Sequence, residues 1–186
     1  MQVSLSDYVR AAGVTTDLVN TAPGVWSGMD KLPDTTALDA FLREHDITAG
    51  AHELAGADLD GVRELRASTR TVIDNPDPAQ LVSGATSLTA GLGSPTLAID
   101  ETGLSSWAVT AGENTPVAQR LALVCAVGIL GVVHTLGAGR FRPCVAPTCS
   151  GAFIDTSRPG RRRYCMPGIC GNRVNVANHR ARTRST

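Results

Sequence analysis

The chain has 186 residues, of which 42% are hydrophobic and 18% are charged, and its 17 basic residues balance its 17 acidic residues. This length suits one medium domain with a small module, or a single compact fold, and the composition excludes a disordered chain. The longest apolar run, residues 121–136, is shorter than the roughly 20 residues that a membrane span needs. The first residues form no charged-then-apolar signal sequence, so we expect a cytoplasmic protein that is neither secreted nor bound in a membrane.

The balanced total charge hides a strong asymmetry along the chain. Residues 140–186 contain ten arginines and one acidic residue, Asp155, which gives this segment a net charge of +9. Residues 1–139 hold seven basic and sixteen acidic residues, a net charge of −9. Such an asymmetry is typical of two modules, of which the basic one suits a polyanion.

The acidic N-terminal part is predicted to form mostly short helices. Ser6 could cap a short first helix, and apolar positions within residues 14–19 predict a second. Asp34 is expected to cap a third helix. Apolar residues at helical spacing predict a fourth helix that ends before Pro76, and Pro78 suits the first turn of a fifth.

A β-hairpin and a long apolar helix are expected next. Thr96–Asp100 and Ser105–Thr110 alternate polar and apolar residues well enough to form two paired strands. Pro116 opens the long apolar helix, and a pair of glycines ends it. Because the charge reverses directly afterwards, we predict a helical regulatory domain over residues 1–139 and a basic module over residues 140–186.

Four of the five cysteines occur as two C-x4-C pairs, Cys144 with Cys149 and Cys165 with Cys170. Four thiolates are the ligand set of a tetrahedral structural zinc site, and such a site leaves no open position for a substrate. Disulfides are the alternative, but a cytoplasmic chain favours zinc. Cys125 lies inside the apolar helix and is expected to be a small buried hydrophobe, not a ligand.

The residues between and after the cysteine pairs predict the shape of the basic module. Residues 152–156 and 162–165 flank a plausible turn at Ser157–Gly160, which predicts a hairpin. Residues 171–182 follow the second pair and are expected to be helical. Knuckle, hairpin, knuckle and helix together resemble a treble-clef-like zinc module, in which zinc supplies much of the folding energy.

Specific motifs in this segment resemble the CGNR zinc-finger family. They are the Cys144-x4-Cys149 pair, Phe153-Ile-Asp-Thr-Ser-Arg158, Arg162-Arg-Tyr-Cys165 and Cys170-Gly-Asn-Arg173. The resemblance covers about the last quarter of the chain, and it implies a bacterial stress-induced transcription regulator. It also implies a helical N-terminal ABATE domain ahead of the finger. Asp17-Leu-Val-Asn20-Thr21 is similar to the opening segment of that domain, although Leu18 stands where an aromatic residue is common.

The last helix is predicted to have one packing face and one polar face. Val174, Ala177 and Ala181 share a stripe that we expect to pack on the zinc core. Asparagine, arginine and valine side chains on the rest of the surface suit adenine, guanine and thymine in the major groove. The residues of this helix that we expect to contact DNA are Asn172, Arg173, Asn175, Val176, His179, Arg180, Arg182 and Arg184. Phosphate contacts are expected from Arg161, Arg162 and Arg163.

Other interpretations of the basic module stay open. An arginine-rich terminal helix can be no more than a solvated face, and Asn172 could cap the helix rather than contact a base. The module could also bind an acidic protein partner, or dock on the acidic domain of its own chain. Single-stranded nucleic acid or RNA is less expected, because few aromatic residues are available for stacking on bases.

These patterns lead us to expect a zinc-dependent transcription regulator that binds double-stranded DNA. Its N-terminal domain would sense a signal, self-associate or contact the transcription machinery. The sequence holds no nucleophile elbow, phosphate-binding loop or dinucleotide fingerprint, so we expect no enzyme activity and no catalytic residues. A dimer would suit palindromic half-sites, but no coiled-coil pattern predicts one.

Overall fold

The computed structural model describes residues 2–49, 53–93, 95–99, 103–112 and 114–176. Its helices are α1 (Tyr8–Val19), α2 (Thr35–Glu44), α3 (Gly56–Ile73), α4 (Pro78–Leu88) and α5 (Val117–Leu136). Its strands are β1 (Gln2–Ser4), β2 (Pro95–Ile99), β3 (Ser105–Thr110), β4 (Phe141–Pro143) and β5 (Ala152–Ile154). The predicted architecture is confirmed: a mainly helical part with a small sheet precedes a small cysteine-rich module.

Helix α5 forms the centre of the fold. Most of its side chains are buried, and it packs against α1, α3 and α4. Among the helices of the described residues, α5 is the one long and apolar enough to cross a membrane, and 67% of its apolar window is buried inside the fold. This burial identifies it as a core helix, as its sequence predicted. It begins after Pro116 and ends at Leu136, and the next residue, Gly137, has a φ of +84°, which suits glycine.

Helix α1 is one continuous helix, so the prediction of two helices over its length was wrong. Asp7 precedes its first turn, whereas Ser6 lies outside and its hydroxyl contacts that of Ser4 at 2.7 Å. No proline interrupts the segment, and Gly13 is accommodated inside the helix. One stripe of buried side chains therefore runs along the whole helix and packs on α5.

The predicted starts of α2 and α4 are confirmed. The Asp34 carboxylate accepts a hydrogen bond from the Ala37 amide at 2.8 Å at the start of α2. Pro78 occupies the first turn of α4, and Asp77 caps it by accepting from the Gln80 amide at 2.9 Å. Helix α3 ends before the Asn75-Pro76 pair, as expected from the sequence.

The predicted hairpin of β2 and β3 is confirmed, and it belongs to a three-stranded antiparallel sheet. Strand β1 pairs with β3, with Val3 opposite Val109, so that the order of strands is β1-β3-β2. The pairing of β1 was not predicted, because three residues are too few to show an alternating pattern.

A second sheet lies in the basic module, and its pairing differs from the prediction. Strand β5 pairs with β4, with Phe141 opposite Ile154, so the loop of this hairpin contains the first cysteine pair. Residues 162–165 form no strand. The prediction that they pair with residues 152–156 was wrong, since β4 occupies the position beside β5.

Strand β5 connects the basic module to the helical part. Phe141, Ala152 and Ile154 lie in the same buried apolar cluster as residues of α1, α4 and α5. The Asn20 side chain donates to the Ala152 carbonyl at 2.7 Å and accepts from its amide at 3.1 Å. The Thr16 hydroxyl accepts from the Ile154 amide at 3.1 Å. These contacts satisfy the free edge of β5. These contacts do not show where one domain ends and the next begins, so the division into domains at residue 139 stays a prediction.

Candidate functional site

The four paired cysteines meet at one point. Their Sγ atoms all lie within 4.8 Å of one another. Cys149 lies 3.6 Å from Cys165 and 3.7 Å from Cys170, and Cys165 lies 3.8 Å from Cys170. Zinc–sulfur bonds of about 2.3 Å in a tetrahedron place neighbouring sulfurs roughly 3.8 Å apart. All four, Cys144 included, are free thiols, and their spacing fits one structural zinc ion.

Backbone turns bring the thiols of each pair together. The Cys144 amide donates to the Gly151 carbonyl at 2.8 Å, and the Gly151 amide approaches the Cys149 sulfur at 3.3 Å. In the second pair, the Cys170 amide donates to the Met166 carbonyl at 2.8 Å within the tight helical turn Pro167–Gly171. Amides directed at a sulfur stabilise the thiolate that a metal ion requires.

Gly151 allows the cluster to close. A Cβ atom at this position would lie 2.6 Å from the Cys165 sulfur, 3.2 Å from the Cys149 sulfur and 2.7 Å from Oδ1 of Asn20. These distances leave no room for a methyl group. Sequence reasoning missed this residue, and its position two residues after a cysteine was the only signal available.

The thiols of the cluster differ in how easily they ionise. Burial raises the pKa of Cys165, and the neighbouring thiols raise it further. Burial also raises the pKa of Cys170 to about 11. For Cys144, burial works in the same direction, but hydrogen bonds outweigh it and lower its pKa. Four thiolates at this spacing repel one another, so a divalent cation is the partner that lets all of them ionise.

Asp155 organises the loop between the two cysteine pairs. It is fully buried, and it is the acidic residue that the charge count of the basic segment singled out. Its carboxylate accepts from the amide and hydroxyl of Ser157 at 3.0 and 2.5 Å and from the Arg162 amide at 3.0 Å. Burial works to raise the pKa of Asp155, but these hydrogen bonds and the charge of Arg142 hold it below its ordinary value. Asp155 is therefore ionised at neutral pH.

Two arginines brace the same loop from β4 and the turn before it. Arg140 donates to the carbonyls of Asp155 at 3.2 Å and Ser157 at 2.7 Å. Arg142 donates to the Gly160 carbonyl at 2.8 Å, and Gly160 has a φ of +60°. In the sequence both arginines contribute only to the net charge of the segment, because their hydrogen-bond partners come together only in the folded loop.

The three arginines predicted to contact phosphates divide into two kinds. Arg162 is half-buried, donates to the carbonyls of Tyr164 and Cys165, and lies 4.9 Å from the centre of the Phe153 ring. Arg161 and Arg163 are exposed to solvent. Two of the three guanidinium groups are thus available on the surface.

The helical segment after the second pair is described as far as residue 176. Val174 packs against the cysteine cluster, which confirms the described part of its predicted packing stripe. Asn172, Arg173, Asn175 and Val176 are exposed, and the Asn172 side chain donates to the Gly168 carbonyl at 2.7 Å. The predicted residues Ala177, His179, Arg180, Ala181, Arg182 and Arg184 lie outside the described residues.

Comparison with known families agrees with both parts of the fold. The model of the CGNR zinc finger matches residues 140–183. The model of the ABATE family, described as "Putative stress-induced transcription regulator", matches residues 13–133. No curated protein matches the chain. The ABATE match covers more than half of the chain, so the protein belongs to the ABATE family, and a CGNR zinc finger with a four-cysteine site for one structural zinc ion follows its helical part.

Proposed function

We propose that the protein is a transcription regulator that binds double-stranded DNA through its zinc finger. One observation carries the proposal: the finger buries its single acidic residue, Asp155, and turns arginines outward. In the described part of the finger, every exposed charged side chain is an arginine: Arg158, Arg161, Arg163 and Arg173. A rigid surface of one sign of charge suits a polyanion, since each phosphate neutralised releases counterions.

Base contacts are assigned to the helical segment that begins at Asn172. Its inward residue is Val174, while Asn175 and Val176 project into solvent. An asparagine can pair with adenine, and an exposed valine can contact the thymine methyl group. Asn175 is the better candidate for a base contact than Asn172, whose amide group already donates to a backbone carbonyl.

The helical ABATE part is assigned the regulatory role in this proposal. Its family description names stress-induced regulation, so we place signal sensing or self-association there. Neither matching family is described as an enzyme, and we assign the chain no catalytic residue. A cytoplasmic location belongs to the same proposal, since a transcription regulator works in the compartment that holds the DNA.

The experiment that tests the proposal neutralises the two exposed loop arginines. The zinc-loaded chain carrying Arg161→Gln and Arg163→Gln should bind every duplex more weakly than the unaltered chain. Its slope of log affinity against log salt should fall by roughly 0.9 for each phosphate that the variant no longer neutralises. Fluorescence anisotropy of a labelled duplex, measured across a salt series, gives both quantities.

A matched control removes two positive charges from the helical part of the chain instead. Arg43→Gln with Arg70→Gln removes two arginines that form exposed i,i+4 ion pairs on α2 and α3, and such pairs add little stability. This variant should keep the full affinity and slope. If the loop variant and the unaltered chain had equal slopes of log affinity against log salt, the proposal that the loop arginines contact DNA would be overturned.

The second candidate function is recognition of an acidic protein by the same arginines. It is favoured by the way the finger already docks on protein, through Asn20 and Thr16. In the described part of the chain, neither Arg161 nor Arg163 forms an ion pair with an N-terminal carboxylate, so the basic face is left open for a partner. Competition between a duplex and a polyglutamate peptide of equal charge separates the two functions.

A further inference from the structure

Asn20 lies where the helical part meets the zinc finger. It follows directly after α1, and only 4% of it is exposed. Its Nδ2 atom donates to the Thr16 carbonyl of α1 and to the Ala152 carbonyl of β5, each at 2.7 Å. Its Oδ1 atom accepts from the Ala152 amide at 3.1 Å. A carboxamide has two N–H groups and one oxygen, so every polar group of this side chain is paired and its position is fixed.

The strand that Asn20 holds begins beside the zinc site. The residue before Ala152 is Gly151, whose carbonyl accepts from the Cys144 amide at 2.8 Å. The Gly151 amide approaches the Cys149 sulfur at 3.3 Å. The backbone that Asn20 fixes therefore also places both cysteines of the first pair.

The Asn20 side chain also packs close to the sulfur atoms. A Cβ atom at Gly151 would lie 2.7 Å from Asn20 Oδ1 and 2.6 Å from the Cys165 sulfur. The carboxamide and this sulfur thus approach the same side of residue 151. Because close-packed atoms leave no space for adjustment, a shift of Asn20 against β5 must also move the cysteine cluster.

We propose that Asn20, a residue of the helical part, is a positioning residue of the zinc site. It acts on the cysteines through the backbone of Gly151 and Ala152. The zinc affinity of the finger then depends on α1, and by reciprocity zinc binding stabilises the end of α1. DNA takes no part in this coupling, so its test and the test of the proposed function can fail separately.

The first test removes the carboxamide in the full chain. Asn20→Ala deletes the hydrogen bonds to Ala152 and to the Thr16 carbonyl, and it should weaken zinc binding roughly tenfold in competition with a chromophoric chelator. Cobalt(II) bound in place of zinc gives a second readout, because its absorption bands depend on the geometry of its ligands. These bands should shift in the variant, whereas a loss of stability alone would leave them unchanged.

Thr16→Val is the matched control. The Thr16 hydroxyl accepts from the Ile154 amide at 3.1 Å, so this variant also removes a buried hydrogen bond between α1 and β5. Ile154 is two residues farther from Cys149 along the chain than Ala152 is. The control variant should therefore unfold at a lower urea concentration but keep the zinc affinity and the cobalt bands of the unaltered chain.

Hydrogen exchange of the unaltered chain tests the reciprocal effect without any substitution, so it decides the matter even if Asn20→Ala does not fold. Removal of zinc by a chelator should speed the exchange of backbone amides in residues 16–26, the segment around Asn20. Amides of β3 should change less, because β3 belongs to the other sheet. Mass spectrometry of peptic fragments measures both segments in one experiment.

Each of three results would overturn the inference. The first is an Asn20→Ala chain that binds zinc as tightly as the unaltered chain and has the same cobalt bands. The second is a Thr16→Val chain whose zinc affinity falls as far as that of Asn20→Ala. The third is exchange in residues 16–26 that zinc removal leaves unchanged, or raises no more than it raises exchange in β3.

Discussion

Gly151 shows how the absence of a side chain at one position allows the metal site to form. Gly151→Ala would place a methyl group against two of the four sulfurs, so we expect weaker zinc binding and a faster release of zinc during chelator competition. Gly168→Ala is the matched control in the same finger, because a Cβ atom there would meet nothing within 4 Å. Equal zinc retention by both variants would contradict the role assigned to Gly151.

At the scale of residues, the sequence allowed the metal ligands to be predicted but not their support. The spacing of Cys144, Cys149, Cys165 and Cys170 carries its own chemical signal. The sequence around Asp155 gives no such signal. Its carboxylate binds the loop only in the folded chain, where the amides of Ser157 and Arg162 donate to it. The spacing of residues in the sequence shows which groups are close along the chain. It does not show which groups form buried hydrogen bonds, because those depend on the fold.

At the scale of elements, the helices with strong end signals were predicted well. Helices α2, α3 and α4 have an aspartate cap or a proline at an end, and their observed bounds follow those residues. Helix α1 lacks a cap that hydrogen-bonds to its first turn, and it was divided in two. The hairpin of the finger was paired wrongly because the β4 strand, only three residues long, shows no periodicity.

The crossing of α1 and α5 provides a test of how elements pack. A Cβ atom at Gly128 of α5 would lie 2.6 Å from the Ala12 nitrogen and 2.7 Å from the Ala11 carbonyl carbon. Because these are backbone atoms, Gly128→Ala must force the helices apart, and we expect it to lower the free energy of unfolding by about 1–3 kcal/mol. Urea denaturation followed by circular dichroism measures this change.

Gly13→Ala is the control for this substitution. Gly13 lies inside α1, and a Cβ atom there would meet nothing within 4 Å. It removes the cost of a helical glycine, and we expect it to raise the free energy of unfolding by roughly 0.5–1 kcal/mol. If both variants were equally stable, the two helices would not be in close contact at Gly128.

At the scale of the whole molecule, the finger is attached to the helices by its apolar hairpin, while Arg158, Arg161, Arg163 and Arg173 are exposed to solvent. The +9 charge of the C-terminal segment and the −9 charge of the rest could be predicted from the sequence alone. The attachment through Asn20 and Thr16 could not, because it joins residues more than a hundred positions apart. The metal site, the loop and the helical core thus form one connected structure.

The most direct test of the proposed function is selection of the zinc-loaded chain against a library of random duplexes, followed by affinity measurements across a salt series. The account predicts that one sequence motif is enriched and that this motif is bound more tightly than bulk DNA at physiological salt. Selection of no motif, with an affinity that vanishes as salt rises, would contradict it and leave a basic surface without sequence recognition.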